Sequence, residues 1–297
     1  YMFYKLRDWI DINKLNWKYL SINPNAIELL KTNQDKIDWF YLSLNPNAIE
    51  LLKENPDKIN WNNLSSNPNA IELLRNNQDK IDWSYLSKNS NAIDLLKENP
   101  NKIDWFYLSF NSNAIELFKE NPDKINWNYL SFNENNNTIE IIKKNLDKIN
   151  WRLLSKNPNA IQLLKENRDK IDWNYLSKNP NSIQFLKANP NKIYWRWLSS
   201  NPNAIELLKA NQDKIDWHWL SSNPNAIELL KANQDKINWY KLNYNPSIFT
   251  YDYEKIKENK KEINEEIIIK ALHPKRMLRL METYGEDEIY KCYFDDD

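Results

Sequence analysis

The sequence predicts an all-α protein, an α-solenoid of about ten 22-residue two-helix repeats with N- and C-terminal capping helices. Three observations lead to this prediction. A tryptophan recurs at a fixed interval, each repeat contains two short helical patterns, and neither pattern is long enough to be stable alone. The stacking of neighbouring repeats must therefore supply the stability.

Tryptophan marks the repeat. The stretch NENNNTIEII lengthens one interval to 24 residues, because two residues are inserted between Asn133 and Ile139. The apolar pattern continues on both sides, so we expect the insertion to lie in a turn. The other intervals are 22 residues, and the series is Trp17, Trp39, Trp61, Trp83, Trp105, Trp127, Trp151, Trp173, Trp195, Trp217 and Trp239.

Each repeat contains two helical patterns, and the repeat that begins at Asn45 is typical. Helix A follows the cap Asn45, has Pro46 at its first position and carries aliphatic residues at helical spacing. We expect Asn55 to end it in the left-handed conformation. Helix B is shorter and begins at a tryptophan behind an Asp or Asn cap, as Asn60 precedes Trp61.

Repeats laid side by side would bury a continuous strip of Ile, Leu and Trp, so we expect the tryptophans to form a core ladder. With helix spacings of roughly 8 to 10 Å, ten layers predict a rod or superhelix on the order of 80 to 100 Å long. A lysine that recurs three residues before most tryptophans, such as Lys36 before Trp39, is expected on a solvated edge neutralised by nearby acids.

The chain divides into three predicted regions. Residues 1–22 are an N-terminal cap with a partial repeat, residues 23–244 are ten tandem helical repeats, and residues 245–297 are a C-terminal helical cap with an acidic tail. Caps are expected because the end layers of an open array expose apolar faces. The C-terminal cap is predicted to contain two amphipathic helices, at roughly 253–272 and 274–284.

The composition argues against catalysis and against a metal or cofactor. Lys plus Arg and Asp plus Glu both number 41, so no global field attracts nucleic acid or an anionic membrane. Cys292, His218 and His273 are too few for a disulfide framework or a Cys/His zinc cluster, and Gly285 alone cannot make a glycine-rich phosphate loop. No apolar run reaches the length of a membrane span. We therefore expect a soluble, intracellular, non-enzymatic protein without a cofactor.

The units NPNAIELLKENPDKINW, together with the ending HPKRMLRLMETYGEDEIY, resemble the short helical-repeat proteins of giant DNA viruses of amoebae, in the mimivirus and megavirus group. The resemblance covers nearly the whole chain. It implies a viral origin and a location in the host cytoplasm or viral factory, with the virion as the alternative. It carries no catalytic residues over, because the function of that family is poorly characterised.

The repeats differ most at two positions, the residue after each tryptophan and the residue four places later, which share a helical face. This variable stripe is mainly apolar in the first half of the array and more basic in the second. We expect it to bind a protein partner, with an apolar zone as anchor and a basic zone for acidic groups. The candidate residues are Phe40, Leu44, Lys88, Phe106, Phe110, Phe132, Arg152, Lys156, Lys178, Arg196 and His218.

Three alternatives stay open. The stripe could drift freely on a solvated face, or its phenylalanines could pack against the adjacent layer. Nucleic acid could bind the basic half, where Arg196 and His218 offer a cation next to stacking partners, which are Trp195, Trp197, Trp217 and Trp219. The protein could also assemble with itself as a structural viral component, which leaves the oligomeric state undetermined.

Overall fold

The computed structural model describes residues 3–284, except for the side chains of 262–268, 270, 275, 283 and 284. It divides into two compact units. The larger unit, Leu6–Thr250, contains all the repeats, and the smaller unit consists of residues near the two chain ends. The structure is an all-α solenoid of regular two-helix layers, as predicted. The predicted acidic tail and Cys292 lie outside the described residues.

Helix B begins at the repeated tryptophan in every layer and is four to six residues long. The preceding Asp or Asn caps it, as when the Asp38 carboxylate accepts the backbone N–H of Tyr41 at 3.1 Å. Tyr194 is the one residue at this position whose side chain does not cap. The B helices are Trp17–Leu20, Trp39–Leu42, Trp61–Ser65, Trp83–Ser87, Trp105–Leu108, Trp127–Leu130, Trp151–Lys156, Trp173–Lys178, Trp195–Leu198, Trp217–Leu220 and Trp239–Leu242.

Helix A is entered through a Pro-Asn-Ala turn, which is a single 3₁₀ turn in most layers. The asparagine before the proline caps this turn, since the Asn23 side-chain oxygen accepts the Asn25 N–H at 3.1 Å. The α-helical part has five or six residues. Its ranges are Ile27–Lys31, Ile49–Lys53, Ile71–Arg75, Ile93–Glu98, Ile115–Glu120, Thr138–Lys143, Ile161–Glu166, Ile183–Lys187, Ile205–Lys209 and Ile227–Lys231.

Helix A ends near the predicted asparagine by a different mechanism. Asn55 has φ −131° and ψ 60°, so the expectation of a left-handed conformation is wrong. Its side-chain amide instead donates to the carbonyl of Leu51 at 3.0 Å and satisfies one of the last free carbonyls of the helix. A 3₁₀ turn then leads to helix B in most layers, at Gln34–Lys36, Pro56–Lys58, Gln78–Lys80, Pro100–Lys102, Pro122–Lys124, Arg168–Lys170, Pro190–Lys192, Gln212–Lys214 and Gln234–Lys236.

The core is made of aliphatic residues from both helices. The leucine three residues after each tryptophan, from Leu20 to Leu242, is fully buried in every layer. The alanine of the turn and a leucine late in helix A, such as Ala48 and Leu52, are fully buried as well. Short helices are stable here because each layer covers the apolar side of the next.

The tryptophans are half-buried in every layer and do not form the core ladder that the sequence suggested. In eight layers the recurring lysine of the following layer covers the exposed face of the ring, so this lysine edge is more than a solvated surface. The ammonium lies 4.6 to 5.3 Å from the ring centre in eight pairs, which are Lys36 with Trp17, Lys58 with Trp39, Lys80 with Trp61, Lys124 with Trp105, Lys148 with Trp127, Lys214 with Trp195, Lys236 with Trp217 and Lys14 with Trp239.

Buried asparagines join the layers to one another. The Asn45 side-chain amide donates to the carbonyls of Ser21 at 3.0 Å and Asn23 at 2.9 Å, and the equivalent asparagine does the same in the layers that follow. A second connection runs through serine, because the Ser21 hydroxyl donates to the Trp17 carbonyl and accepts the backbone N–H of Asp38. The buried asparagine and serine side chains are therefore satisfied across the layer boundary.

The asparagine ladder closes on itself within the larger unit. The Asn23 amide donates to the carbonyls of Asn243 at 2.9 Å and Asn245 at 3.1 Å, and the Asn16 N–H donates to the Asn243 side chain at 2.8 Å. We call this junction the seam. The layers form a closed ring marked by eleven tryptophans, so the expected open rod or superhelix is wrong. Asn16 and Asn23 supply one side of the seam.

The two-residue insertion leaves the ladder intact. The Asn157 amide still donates to the carbonyls of Ser131 at 3.1 Å and Asn133 at 2.8 Å, across a longer stretch of sequence. The additional residues are taken up between Asn133 and Thr138, whose hydroxyl donates to the carbonyl of Asn135 at 2.6 Å. The insertion lies in a turn, as expected.

Strands β1, Tyr4–Leu6, and β2, Phe249–Tyr251, pair with each other. They are antiparallel, because the N–H of Arg7 donates to the carbonyl of Ile248 and the N–H of Asp252 donates to that of Phe3. The helices Tyr253–Ala271 and Pro274–Tyr284 follow, close to the two predicted C-terminal helices.

Candidate functional site

The B helices lie on the inside of the ring. Consecutive B helices and consecutive Pro-Asn-Ala turns pack more closely than consecutive A helices do, and in a closed ring the more closely spaced elements are the inner ones. We call the side chains two and five residues after each tryptophan the inner face. They are Tyr19, Ile22, Tyr41, Leu44, Asn63, Ser66, Tyr85, Lys88, Tyr107, Phe110, Tyr129, Phe132, Leu153, Lys156, Tyr175, Lys178, Trp197, Ser200, Trp219, Ser222, Lys241 and Tyr244.

Contacts on the inner face extend beyond the adjacent layer. The Lys178 ammonium lies 4.6 Å from the ring of Trp197 in the next layer and 4.8 Å from the ring of Trp219 in the layer after that. Such reach requires side chains that converge, as they do inside a ring. The predicted stripe therefore splits into two rows, one on the inner face and one, directly after each tryptophan, that we call the rim.

The apolar candidates are partly exposed and also contact the adjacent layer. Phe106 on the rim and Phe110 on the inner face are 46% and 36% exposed, and both pack against Tyr129 of the next layer at ring-centre distances of 4.7 and 4.1 Å. Phe40 is 52% exposed and lies edge-on to Tyr41. Phe106 and Phe110 thus combine exposure on the candidate binding face with packing against the adjacent layer, which was the alternative.

Lys88 lines two pockets on the inner face. A pocket of about 280 Å³ is shared with Phe110, Phe132 and Glu134, and a second of about 500 Å³ includes Phe110 and Tyr107. Lys88 therefore places a positive charge beside the aromatic rings that line these two pockets.

Two rim arginines have an acidic neighbour. Arg152 lies 3.7 Å from the Asp172 carboxylate, and Arg196 lies 3.7 Å from the Asp216 carboxylate. Each aspartate is the helix B cap of the next layer, so the spacing of the repeat creates the pair. His218 is exposed on the same rim. Exposed pairs of this kind stabilise little, but they reduce the net positive charge of the rim.

The lysines of the basic half gather on the inner face. The Lys156 ammonium lies 4.1 Å from the ring centre of Phe132, and burial lowers the pKa of this lysine. Burial also lowers the pKa of Lys178, and the ammonium groups of Lys156 and Lys241 lower it further. Lys156, Lys178 and Lys241 come from three layers, and the curvature of the array brings them within electrostatic reach.

Tyrosines from both ends of the array meet at the seam. The Tyr19 ring lies 4.8 Å from that of Tyr240 and 5.3 Å from that of Tyr244. Hydrogen bonds from Tyr19 and then Tyr244 lower the pKa of the Tyr240 hydroxyl, whereas burial is the main cause that raises the pKa of Tyr244. Leu44 is half-buried one layer from Tyr19, so the candidates Leu44 and Phe40 border this cluster.

Lys241 and Tyr19 were missed as site residues. Both stand two residues after a tryptophan, a position that is aromatic in most repeats and was read as framework. The aromatic residues recurring there were a signal that this row faces a common space. The contact of Tyr19 with Tyr240 and Tyr244 across the seam could not be inferred, because nothing local in the sequence indicates that the array closes.

The described residues hold no cluster of three or more His, Cys, Asp or Glu side chains suited to a metal ion. Among the helices in this part of the chain, none combines the length and the apolar character needed to cross a membrane. Comparison with known proteins finds no matching family model, no similar curated protein and no similar solved structure.

Proposed function

We propose that the protein is a non-catalytic scaffold that binds a segment of another protein along the inner face and rim. The distribution of exposed apolar side chains carries this proposal. In the larger unit, the large exposed ones at these two rows are Phe40, Phe106, Phe110, Tyr240 and Tyr244, and only Leu146 and Tyr194 lie elsewhere. Clustered exposed aromatics on an otherwise polar surface are typical of interaction sites.

The chemistry of the two rows defines the segment they fit. An aliphatic or aromatic side chain would enter the depression beside Phe110 and Tyr107, and acidic side chains would face Lys156 and Lys178. Following the resemblance noted above, the partner is a viral or host protein met in the host cytoplasm or viral factory, with the virion as the alternative location. The function is recognition, and no bond is made or broken.

Nucleic-acid binding is the rival proposal, and two observations weigh against it. The rings of Trp197 and Trp219 carry the Lys178 ammonium and are less free to stack on bases. Arg152 lies beside an aspartate. Self-assembly is the third proposal, and because a closed ring has no end layer it would have to proceed through the flat or outer surfaces.

The test is affinity capture from a lysate of the infected host that the resemblance implies, with and without nuclease. The bait carries a photo-crosslinking residue at position 110. A second bait replaces Phe106 by Ser and carries the crosslinker at the same position. The matched control is Leu146→Ser, which removes an equally exposed apolar side chain away from the two rows.

We expect one protein to crosslink at position 110 after nuclease treatment, to be lost with Phe106→Ser and to be retained with Leu146→Ser. Loss of capture on nuclease treatment would establish the nucleic-acid alternative. Equal loss with both serine variants would contradict the proposed location of the site.

A further inference from the structure

Two lysines lie against one tryptophan on the inner face. The ammonium groups of Lys178 and Lys241 are each 4.8 Å from the ring centre of Trp219, and Lys178 is also 4.6 Å from that of Trp197. Lys178 and Lys241 are three layers apart. Their convergence follows from the curvature of the array across these successive layers.

This group of cations lacks a compensating acid. Among the described residues, no carboxylate oxygen lies within 4 Å of the ammonium nitrogen of Lys156, Lys178 or Lys241. Glu134 acts on Lys156 from farther away, and the charges that act on Lys178 are the other two lysines. Three like charges held together without a counter-ion repel one another, and a bound anion would remove that repulsion.

A second, independent observation comes from Trp219. Its indole nitrogen Nε1 is buried and has no hydrogen-bond partner among the described residues. An indole N–H can only donate, and a buried donor without an acceptor is costly. An acceptor atom brought by a ligand would satisfy it beside the same two ammonium groups.

We propose that Lys156, Lys178, Lys241 and Trp219 form a binding site for a small anion that carries several phosphate groups. Three converging ammonium groups match a ligand with several negative charges, and lysine binds phosphate oxygens as a point charge. A single carboxylate would neutralise only one of the three. The site goes beyond the proposed protein scaffold, because it needs no protein partner and is complete within the ring.

The experiment uses the full chain and inorganic tripolyphosphate, with binding measured by titration calorimetry and thermal shift at fixed ionic strength. The test variants are Lys178→Met and Trp219→Phe. The matched control is Lys88→Met, because Lys88 occupies the same place in its repeat, is also half-buried and lies 4.5 Å from an aromatic ring, but belongs to the other arc of the ring. Inorganic phosphate and a hexaglutamate peptide serve as comparison ligands.

We expect wild-type protein to bind tripolyphosphate, Lys178→Met to bind at least ~10-fold more weakly, and Lys88→Met to bind as wild type. Trp219→Phe should weaken binding by a smaller factor of ~3 or more, since it removes one neutral donor. Lys178→Met removes a repelled charge, so the unliganded variant should still fold, and Lys241→Met provides a second test of the same group.

Absence of tripolyphosphate binding to the wild type would overturn the proposal. Equal weakening by Lys178→Met and Lys88→Met would also overturn it, because it would show attraction to general positive charge. Tighter binding of hexaglutamate with the same dependence on Lys178 would assign the site to an acidic protein segment instead. The first two outcomes do not depend on the captured partner and leave the scaffold proposal unaffected. The hexaglutamate outcome would instead support the acidic partner segment of that proposal.

Discussion

The side-chain amide nitrogen of Asn23 lies 3.1 Å from the carbonyl oxygen of Asn245, although 222 residues separate the two along the chain. The same bond joins Asn45 to Asn23 and Asn245 to Asn223, each 22 residues apart and each at 2.9 Å. The seam thus reproduces the contact made between neighbouring layers, and its strength can be compared directly with theirs.

Replacing Asn23 by Ala should lower the free energy of unfolding by about 2 to 3 kcal/mol, because two buried hydrogen bonds are lost. Asn111→Ala, the same change inside the array, should cost a similar amount. Asn47→Ala, which removes one exposed bond, should cost less than about 1 kcal/mol. Urea denaturation measures all three. A cost for Asn23→Ala as small as that for Asn47→Ala would mean that the ring is open in solution.

Trp105→Ala should destabilise the protein by about 3 kcal/mol, at the lower end of the range for large aromatic truncations, because the ring is only half-buried. Lys124→Met, which keeps the covering side chain but removes its ammonium 4.7 Å from that ring, should cost about 0.5 to 1 kcal/mol. Thermal unfolding of both variants shows whether Trp105→Ala is the more destabilising change. A larger effect for the lysine change would contradict the assignment of the tryptophan as the main packing residue.

Replacing Phe106 and Phe110 together by Ser should lower stability by about 1 to 2 kcal/mol, since both rings lose their contact with Tyr129. The circular dichroism spectrum at 25 °C should be unchanged, so any loss of partner capture reflects the surface. Collapse of the helical signal would show that these two residues belong to the core.

The Lys178→Met variant should be more stable than wild type near pH 7, and the difference should shrink as the pH rises toward 10.5. Burial, together with Lys156 and Lys241, lowers the pKa of Lys178 in the folded protein below its usual 10.5. Between the pKa of Lys178 in the folded protein and 10.5, the unfolded chain binds more protons than the folded chain. The free energy of unfolding of the wild type therefore rises with pH in this range. Melting temperatures of both proteins from pH 7 to 10 test this. A difference that stays constant or widens would contradict it.

Tyr240 should be among the first tyrosines to ionise as the pH is raised, because hydrogen bonds from Tyr19 and Tyr244 favour its phenolate. Ultraviolet difference titration of wild type against Tyr240→Phe isolates its signal. In a Tyr19→Phe background the ionisation should move to higher pH. If the ionisation of Tyr240 is unchanged by Tyr19→Phe, the tyrosine cluster at the seam does not form.

The helices were predictable because their signals are local and repeated. Each tryptophan behind an Asp or Asn starts helix B, and the two C-terminal helices were located almost to the residue. The half-burial of the tryptophans was not predictable, because the lysine that covers eight of the eleven rings belongs to the next layer. Periodicity reveals that a position is apolar, but it does not reveal how much of the ring a neighbour covers.

Closure of the array was not predictable either. It depends on the small rotation between layers, which adds up over the whole array and leaves no mark in any single repeat. The same rotation also limited how much of the candidate site could be predicted. Phe106 and Phe110 were identified from their variation alone, whereas Lys178 and Lys241 reach the same ring only because the rotation between successive layers brings them together. The apolar zone was therefore readable from one stretch of sequence and the lysine group was not.

Because the asparagine ladder closes on itself, the geometry of the ring fixes the number of repeats. An open solenoid can gain or lose a repeat by duplication or deletion, since only its length changes. Here each of the eleven layers supplies one eleventh of a full turn, and removal of 22 residues would force every remaining boundary to a steeper angle or break the bonds of Asn23. We therefore expect sequence change in this chain to occur in side chains on the inner face and rim, and in turns such as the one after Asn133. The number of layers stays the same.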